Sequence, residues 1–195
     1  EGSIGAITGV SRISGIVLDE RQNPTRAYVA VGYPAQANNQ NNGVYSFSIP
    51  ASGCPTWPGG FTTHFGGMPA GTGTTTSLTG RIELDGRIGP DSRLTLYAMV
   101  TDSTSYTAYG TYVMRPEISG SWTLLSGSGA SSYKDCANQA SSTAQDWYDL
   151  HLHVHPTNDR ILYLGHVDLF KTTVDAGYSS LGLTTASNLS NVYRM

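Results

Sequence analysis

Apolar and polar positions alternate along most of this chain, and the alternation stops and resumes at nearly regular intervals. Three stretches carry it most clearly: RISGIVLDERQNPTRAYVAVG from Arg12, RIELDGRIGPDSRLTLYAMV from Arg81 and WYDLHLHVHPTNDRILYLG from Trp147. Each holds an apolar alternating run, a polar turn with a proline, and a second apolar run that carries a tyrosine. Tyr28, Tyr97 and Tyr163 mark the period, sixty-nine and then sixty-six residues apart. A period of two is that of a strand with unlike faces, and self-similarity at a steady spacing is the mark of a repeat architecture.

Each repeat divides into four short strands. In the first unit they are expected at Ile13–Leu18, Arg26–Gly32, Gly43–Ser48 and about Trp57–His64. In the second they fall at Gly80–Gly86, Leu94–Thr101, Tyr109–Met114 and Ser121–Leu125. In the third they fall at Trp147–Val154, Ile161–His166, Val167–Thr172 and about Tyr178–Leu183. Val, Ile, Tyr and Thr fill these runs, and Gly, Pro, Asn and Asp bound them. The connections DERQNP, GPDS and HPTNDR are turn chemistry, in which Pro presets φ while Asp and Asn bond back to the backbone. Longer polar segments, such as PAQANNQNNG and SGSGASSYKDCANQASSTAQD, read as loops projecting from one face of the array. No stretch shows a helical period. The expected fold is all-β, with about three four-stranded antiparallel units at 12–64, 80–127 and 147–183. Such units are the blades of a β-propeller.

Composition narrows the choice of partners. A charge content of 13% and a net charge of −3 leave no basic surface for nucleic acid or an anionic membrane. No apolar run approaches the ~20 residues of a membrane span. The chain starts at Glu1 without a charged and apolar leader, and is expected to be a mature product or a fragment. Abundant Ser, Thr, Asn and Gly, little Lys, and the sequon Asn188-Leu189-Ser190 point to an extracellular or cell-surface protein. Cys54 and Cys136 have no metal-binding spacing. They are either two unpaired small hydrophobes or a disulfide between neighbouring units.

The third unit resembles a blade of the Asp-box propeller group, which includes sialidases, sortilin-type receptor domains and xyloglucanase-like glycoside hydrolases. Pro156, Tyr163, Gly165, Phe170, Thr173, Asp175 and Gly177 fall on its pattern, with Ser180 where the pattern has Trp. The second unit keeps Pro90, Tyr97, Tyr112 and Trp122 with an eroded box, RPEISGSW. The first keeps Pro24, Tyr28, Tyr45 and Trp57 and lacks the box Asp. The resemblance implies structural roles: Asp175 caps backbone amides, Gly177 supplies positive φ, and Trp57 and Trp122 pack on the turns. Three blades do not close a ring, which takes about four to eight. The array is therefore expected to be part of a larger propeller or to be completed by oligomerisation.

Candidate chemistry lies in three places. Asp149, His151, His153 and His155 share one strand face, ~6.5–7 Å apart in succession. With His166 and Asp168 nearby they offer nitrogen and carboxylate donors to a divalent ion such as Zn²⁺, or a pH-sensitive contact. No other cofactor is expected. Alignment on the tyrosines sets Arg12 level with Arg81, and Ser14 level with Glu83 and Asp149. Glu83 and Asp149 are thus the candidate catalytic carboxylates of a glycosidase, and Arg12 and Arg81 candidate clamps for an acidic sugar. Tyr33, Tyr106, Tyr109 and Tyr133 lie at strand ends or in loops and are candidates for a ligand face.

The expected function is a non-catalytic binding or assembly module with a protein or glycan partner. The alternatives are a portion of a glycoside hydrolase and a structural subunit of an extracellular assembly. Fold alone does not choose among them.

Overall fold

The structure, a computed structural model, describes residues 13–32, 41–53, 60–74, 77–104, 108–126, 150–165 and 169–181, without the side chains of 108, 109, 126, 169 and 170. It is all-β, and almost no helix occurs among the described residues. The first sheet contains β1 (Ile13–Asp19), β2 (Arg26–Val31), β3 (Gly43–Ser48) and β4 (Thr62–His64) in that order. The second contains β5 (Thr79–Ile88), β6 (Leu94–Asp102), β7 (Ala108–Arg115) and β8 (Ser119–Ser126), again in chain order. The third pairs β9 (His151–Val154), β10 (Ile161–Gly165) and β11 (Leu169–Thr173). Every neighbouring pair is antiparallel. Of the fourth strand expected in the third unit at 178–183, residues 182 and 183 lie outside the described residues, and among the described ones an isolated bridge joins Val174 to Leu181.

The three sheets are layered face to face, and the strand sequences account for the layering. The second sheet lies in the middle, so β6 (LTLYAMVTD) is buried on both faces from Leu94 to Val100 and reads as a nearly continuous apolar run. Leu94, Leu96, Ala98 and Val100 join Tyr28, Ala30, Val44, Ile82 and Trp122 in a core between the first and second sheets. Tyr97 and Met99 point the other way, into a second core with Leu152, Val154, Leu162 and Leu164 of the third sheet. The third sheet keeps strict alternation in β9, where Leu152 and Val154 are buried and His151 and His153 exposed, since among the described residues one of its faces is covered by another sheet and the other is not. Each fully buried aliphatic side chain contributes about 1.5–3 kcal/mol.

The first strands of successive sheets run side by side. Gly15 in β1 faces the backbone of β5 so closely that a Cβ would sit 2.8 Å from the Leu84 carbonyl oxygen. The Ser14 hydroxyl donates to the Ile82 carbonyl across the same seam. Farther out, the Trp122 amide of β8 donates to the Gly66 carbonyl at 2.7 Å, and the Trp122 indole donates to the His64 carbonyl at 2.9 Å. Trp122 itself is buried in the core between the first and second sheets.

Register corrects one expectation. Asp85 lies opposite Tyr97, but His153 lies opposite Tyr163 and Val17 opposite Tyr28. The turn between the first two strands is two residues shorter in the third sheet than in the second. The residues level with Glu83 are therefore His151 and Gly15, not Asp149 and Ser14. A bulge between Ile13 and Gly15 shifts β1 as well.

Candidate functional site

The strongest concentration of polar side chains lies along the seam between β5 and β9. Alternation in β5 sets Arg81, Glu83, Asp85 and Arg87 on one face, with Ile82 and Leu84 on the other in the core. Arg81 Nε donates to Glu83 Oε1 at 2.9 Å. Burial pushes the Glu83 carboxyl above its ordinary range, and the opposing influence of Arg81 and His151 does not cancel it. Asp85 is engaged by the next sheet: its Oδ2 accepts the Val154 amide at 2.7 Å and lies 3.0 Å from His153 Nδ1. Both carboxylates of the seam are thus held by cations or amides, an arrangement that ties strands together.

The histidines line up against an aromatic ring. His153 and His155 stack on Tyr163 with centroids 6.5 and 6.0 Å away and planes 26° and 25° apart. His155 Nδ1 accepts the Thr157 amide at 3.2 Å, which closes the turn after β9. His151 is exposed. Among the described residues no three His, Cys, Asp or Glu side chains gather where they could hold a metal ion. His166 and Asp168, expected to complete such a site, lie outside the described residues. So do Arg12, Asp149, Tyr33, Tyr106, Tyr133, Trp57, Cys54 and Cys136, and of Tyr109 only the backbone, in β7, is described.

The turn that follows β11 is a carboxylate-capped loop built on Asp175. Asp175 Oδ1 accepts the amides of Ser179 at 2.6 Å and Ser180 at 2.8 Å, while Oδ2 accepts the Ser179 hydroxyl at 2.9 Å and the Gly177 amide at 3.3 Å. These donors, Ser180 first, hold the Asp175 carboxyl down at about 2. The positive φ of this loop falls on Tyr178, at 54°, rather than on Gly177. Tyr178 is held there by its hydroxyl, which donates to Asp159 Oδ2 at 2.6 Å, and by the Arg115 guanidinium 4.3 Å above its ring.

That aspartate is a site that reading the sequence missed. Asp159, in the turn before β10, is almost fully buried. It takes the Thr95 hydroxyl at 3.1 Å on Oδ2, and its carbonyl takes the Tyr97 hydroxyl at 2.7 Å. In the sequence it looks like an ordinary turn residue; the one signal was its place a few residues before the repeat tyrosine. Next to it a cleft of about 380 Å³ opens between two turns, lined by Arg87, Ile88, Gly89 and Pro90 on one side and Thr157, Asn158, Asp159 and Arg160 on the other.

No family model, curated protein or solved structure matches the chain.

Proposed function

We propose that this chain is a β-propeller-type assembly module of the Asp-box kind, working at the cell surface or outside the cell, whose terminal sheet faces are completed by further β-sheet. The observation that carries this reading is the unequal fate of three equivalent tyrosines. Tyr28 and Tyr97 occupy the middle of the second strand of their sheets and are buried under the sheet that follows, at 3% and 0% exposure. Tyr163 occupies the same place in the third sheet, and its ring is half-buried, against His153 and His155. At the opposite end, the first sheet's outer face bears Ile16 and Leu18 at 58% and 46% exposure, next to a buried cluster of Val29, Val31 and Tyr45 packed with Phe47, Phe61 and Phe65. In the two interior contacts, a face of this apolar kind receives the tyrosine face of the preceding sheet. Head-to-tail contact between copies therefore repeats an interface the chain already makes twice, and a closed ring is the bounded form of such a contact.

Sedimentation velocity over a wide concentration range tests this. Self-association above the 20.7 kDa chain mass is expected, and Tyr163→Glu and Ile16→Asp should each abolish it. A monomer at every concentration, or association indifferent to both substitutions, overturns the reading.

A further inference from the structure

We infer that the cleft between the β5–β6 and β9–β10 turns is a binding site for a small organic anion. This goes beyond the assembly reading and does not depend on it. The same kind of gap between sheets occurs twice in the chain. Between the first and second sheets the gap is closed by the chain's own charges. Arg21, from the turn after β1, pairs with Asp19 at 2.7 Å, reaches the Ser92 carbonyl in the β5–β6 turn, and bonds Glu117. Between the second and third sheets the gap stays open as the cleft of about 380 Å³, lined by two cations, Arg87 and Arg160, and by one carboxylate, Asp159.

Arg87 and Arg160 are the cations, one from each side. Both are half-buried. Among the described residues neither guanidinium makes a hydrogen bond or an ion pair. The nearby carboxylates are committed elsewhere: Asp91 to Arg115, and Asp159 to the Thr95 and Tyr178 hydroxyls. Asp159 Oδ2 and Asp91 Oδ1 both lie against Gly89 of the lining, 2.7 and 3.1 Å from where a Cβ would sit. Asp159 is nearly inaccessible, and both hydroxyls donate to its Oδ2. A guanidinium presents a planar fork suited to carboxylate, sulfate or phosphate oxygens. The volume is that of a site for a small ligand, at the lower end of the ordinary range. Thr157 and Asn158 add neutral polar groups at the rim that suit hydroxyls. The ligand class is therefore a small acid of about monosaccharide size.

The test is calorimetric or NMR titration of the whole chain with glucuronate, sodium sulfate and glucose, on wild type, Arg87→Gln and Arg160→Gln. Glucuronate should bind, glucose should not, and each substitution should weaken binding by about tenfold or more, the usual cost of one charge-assisted hydrogen bond. Sulfate binding as tightly as glucuronate assigns recognition to the anionic group, and weaker sulfate binding assigns part of it to the ring; either supports the site. Absence of glucuronate binding, equal binding of glucose, or binding untouched by both substitutions in folded protein overturns it. Unfolding midpoints matching wild type certify that the variants are folded, and Arg87→Lys and Arg160→Lys replace any variant that is not.

Discussion

Asp85 Oδ2 accepts the amide of Val154 at 2.7 Å, joining the first strand of the second sheet to the first strand of the third. The bond satisfies a backbone donor on the free edge of β9, whose partner strand lies on the other side. Asp85→Ala should leave that amide without its acceptor and cost about 1–3 kcal/mol in urea unfolding. Asp85→Asn, which keeps an acceptor oxygen, should cost less.

Close approach of β1 to β5 makes a second prediction. Gly15→Ala drives a methyl to 2.8–2.9 Å from three Leu84 atoms, two of them backbone. The loss should be about 1–3 kcal/mol, the usual cost of overpacking. Gly120→Ala meets nothing within 4 Å and should stay within about 0.5 kcal/mol of wild type. Equal effects on thermal or urea unfolding would show that the first strands do not converge.

The equivalent tyrosines should answer differently to the same change. Tyr97→Phe deletes a buried hydroxyl that donates to the Asp159 carbonyl and should cost about 1 kcal/mol or somewhat more. Tyr163→Phe should leave the stability of the isolated chain within about 0.5 kcal/mol.

His64 and Asp175 are two of the groups that shape the acid limb of stability. His64 has its basicity lowered, first by burial and then by Arg26, so the unfolded chain takes up a proton the folded chain resists. Stability is complete above the ordinary value of 6.5 and falls as pH drops through it. Asp175, held at about 2 against an ordinary 3.8, contributes above about pH 4 and loses that contribution as pH falls towards 2. Unfolding midpoints measured from pH 8 to pH 2 should show both limbs. His64→Gln should flatten the first, and Asp175→Ala should lower stability at pH 7 but not at pH 2.

The arrangement of strands was legible because it rests on local chemistry. Alternation in RIELDGRI, the nearly unbroken run LTLYAMV and the Pro-Asp and Pro-Thr turns place β5, β6, β9 and β10 within a residue or two of where they lie, save that β9 starts several residues after the expected Trp147. The capping role of Asp175 was implied by the resemblance of the third unit to an Asp-box blade, and its partners lie within five residues. Register was not legible. Aligning the tyrosines assumed equal turns, and the shorter third turn set His151 rather than Asp149 beside Glu83. Asp85 and Asp159 were passed over because their partners, Val154 and Tyr97, lie on other sheets more than sixty residues away. A composition or spacing rule does not register a bond of that kind. The histidines of β9 and the turn after it looked convergent in sequence, yet in space His153 and His155 stack on the single ring of Tyr163.

Layering of three sheets in one direction is the claim on which the rest stands, and amide hydrogen exchange of the intact chain reads it directly. The Val154 amide bonds the third sheet to the second, and the Trp122 amide bonds the second to the first. Both should exchange slowly, and Asp85→Ala should release Val154 while Trp122 stays protected. Rapid exchange at both amides in wild-type protein, with the interiors of the sheets still protected, would contradict the layered arrangement.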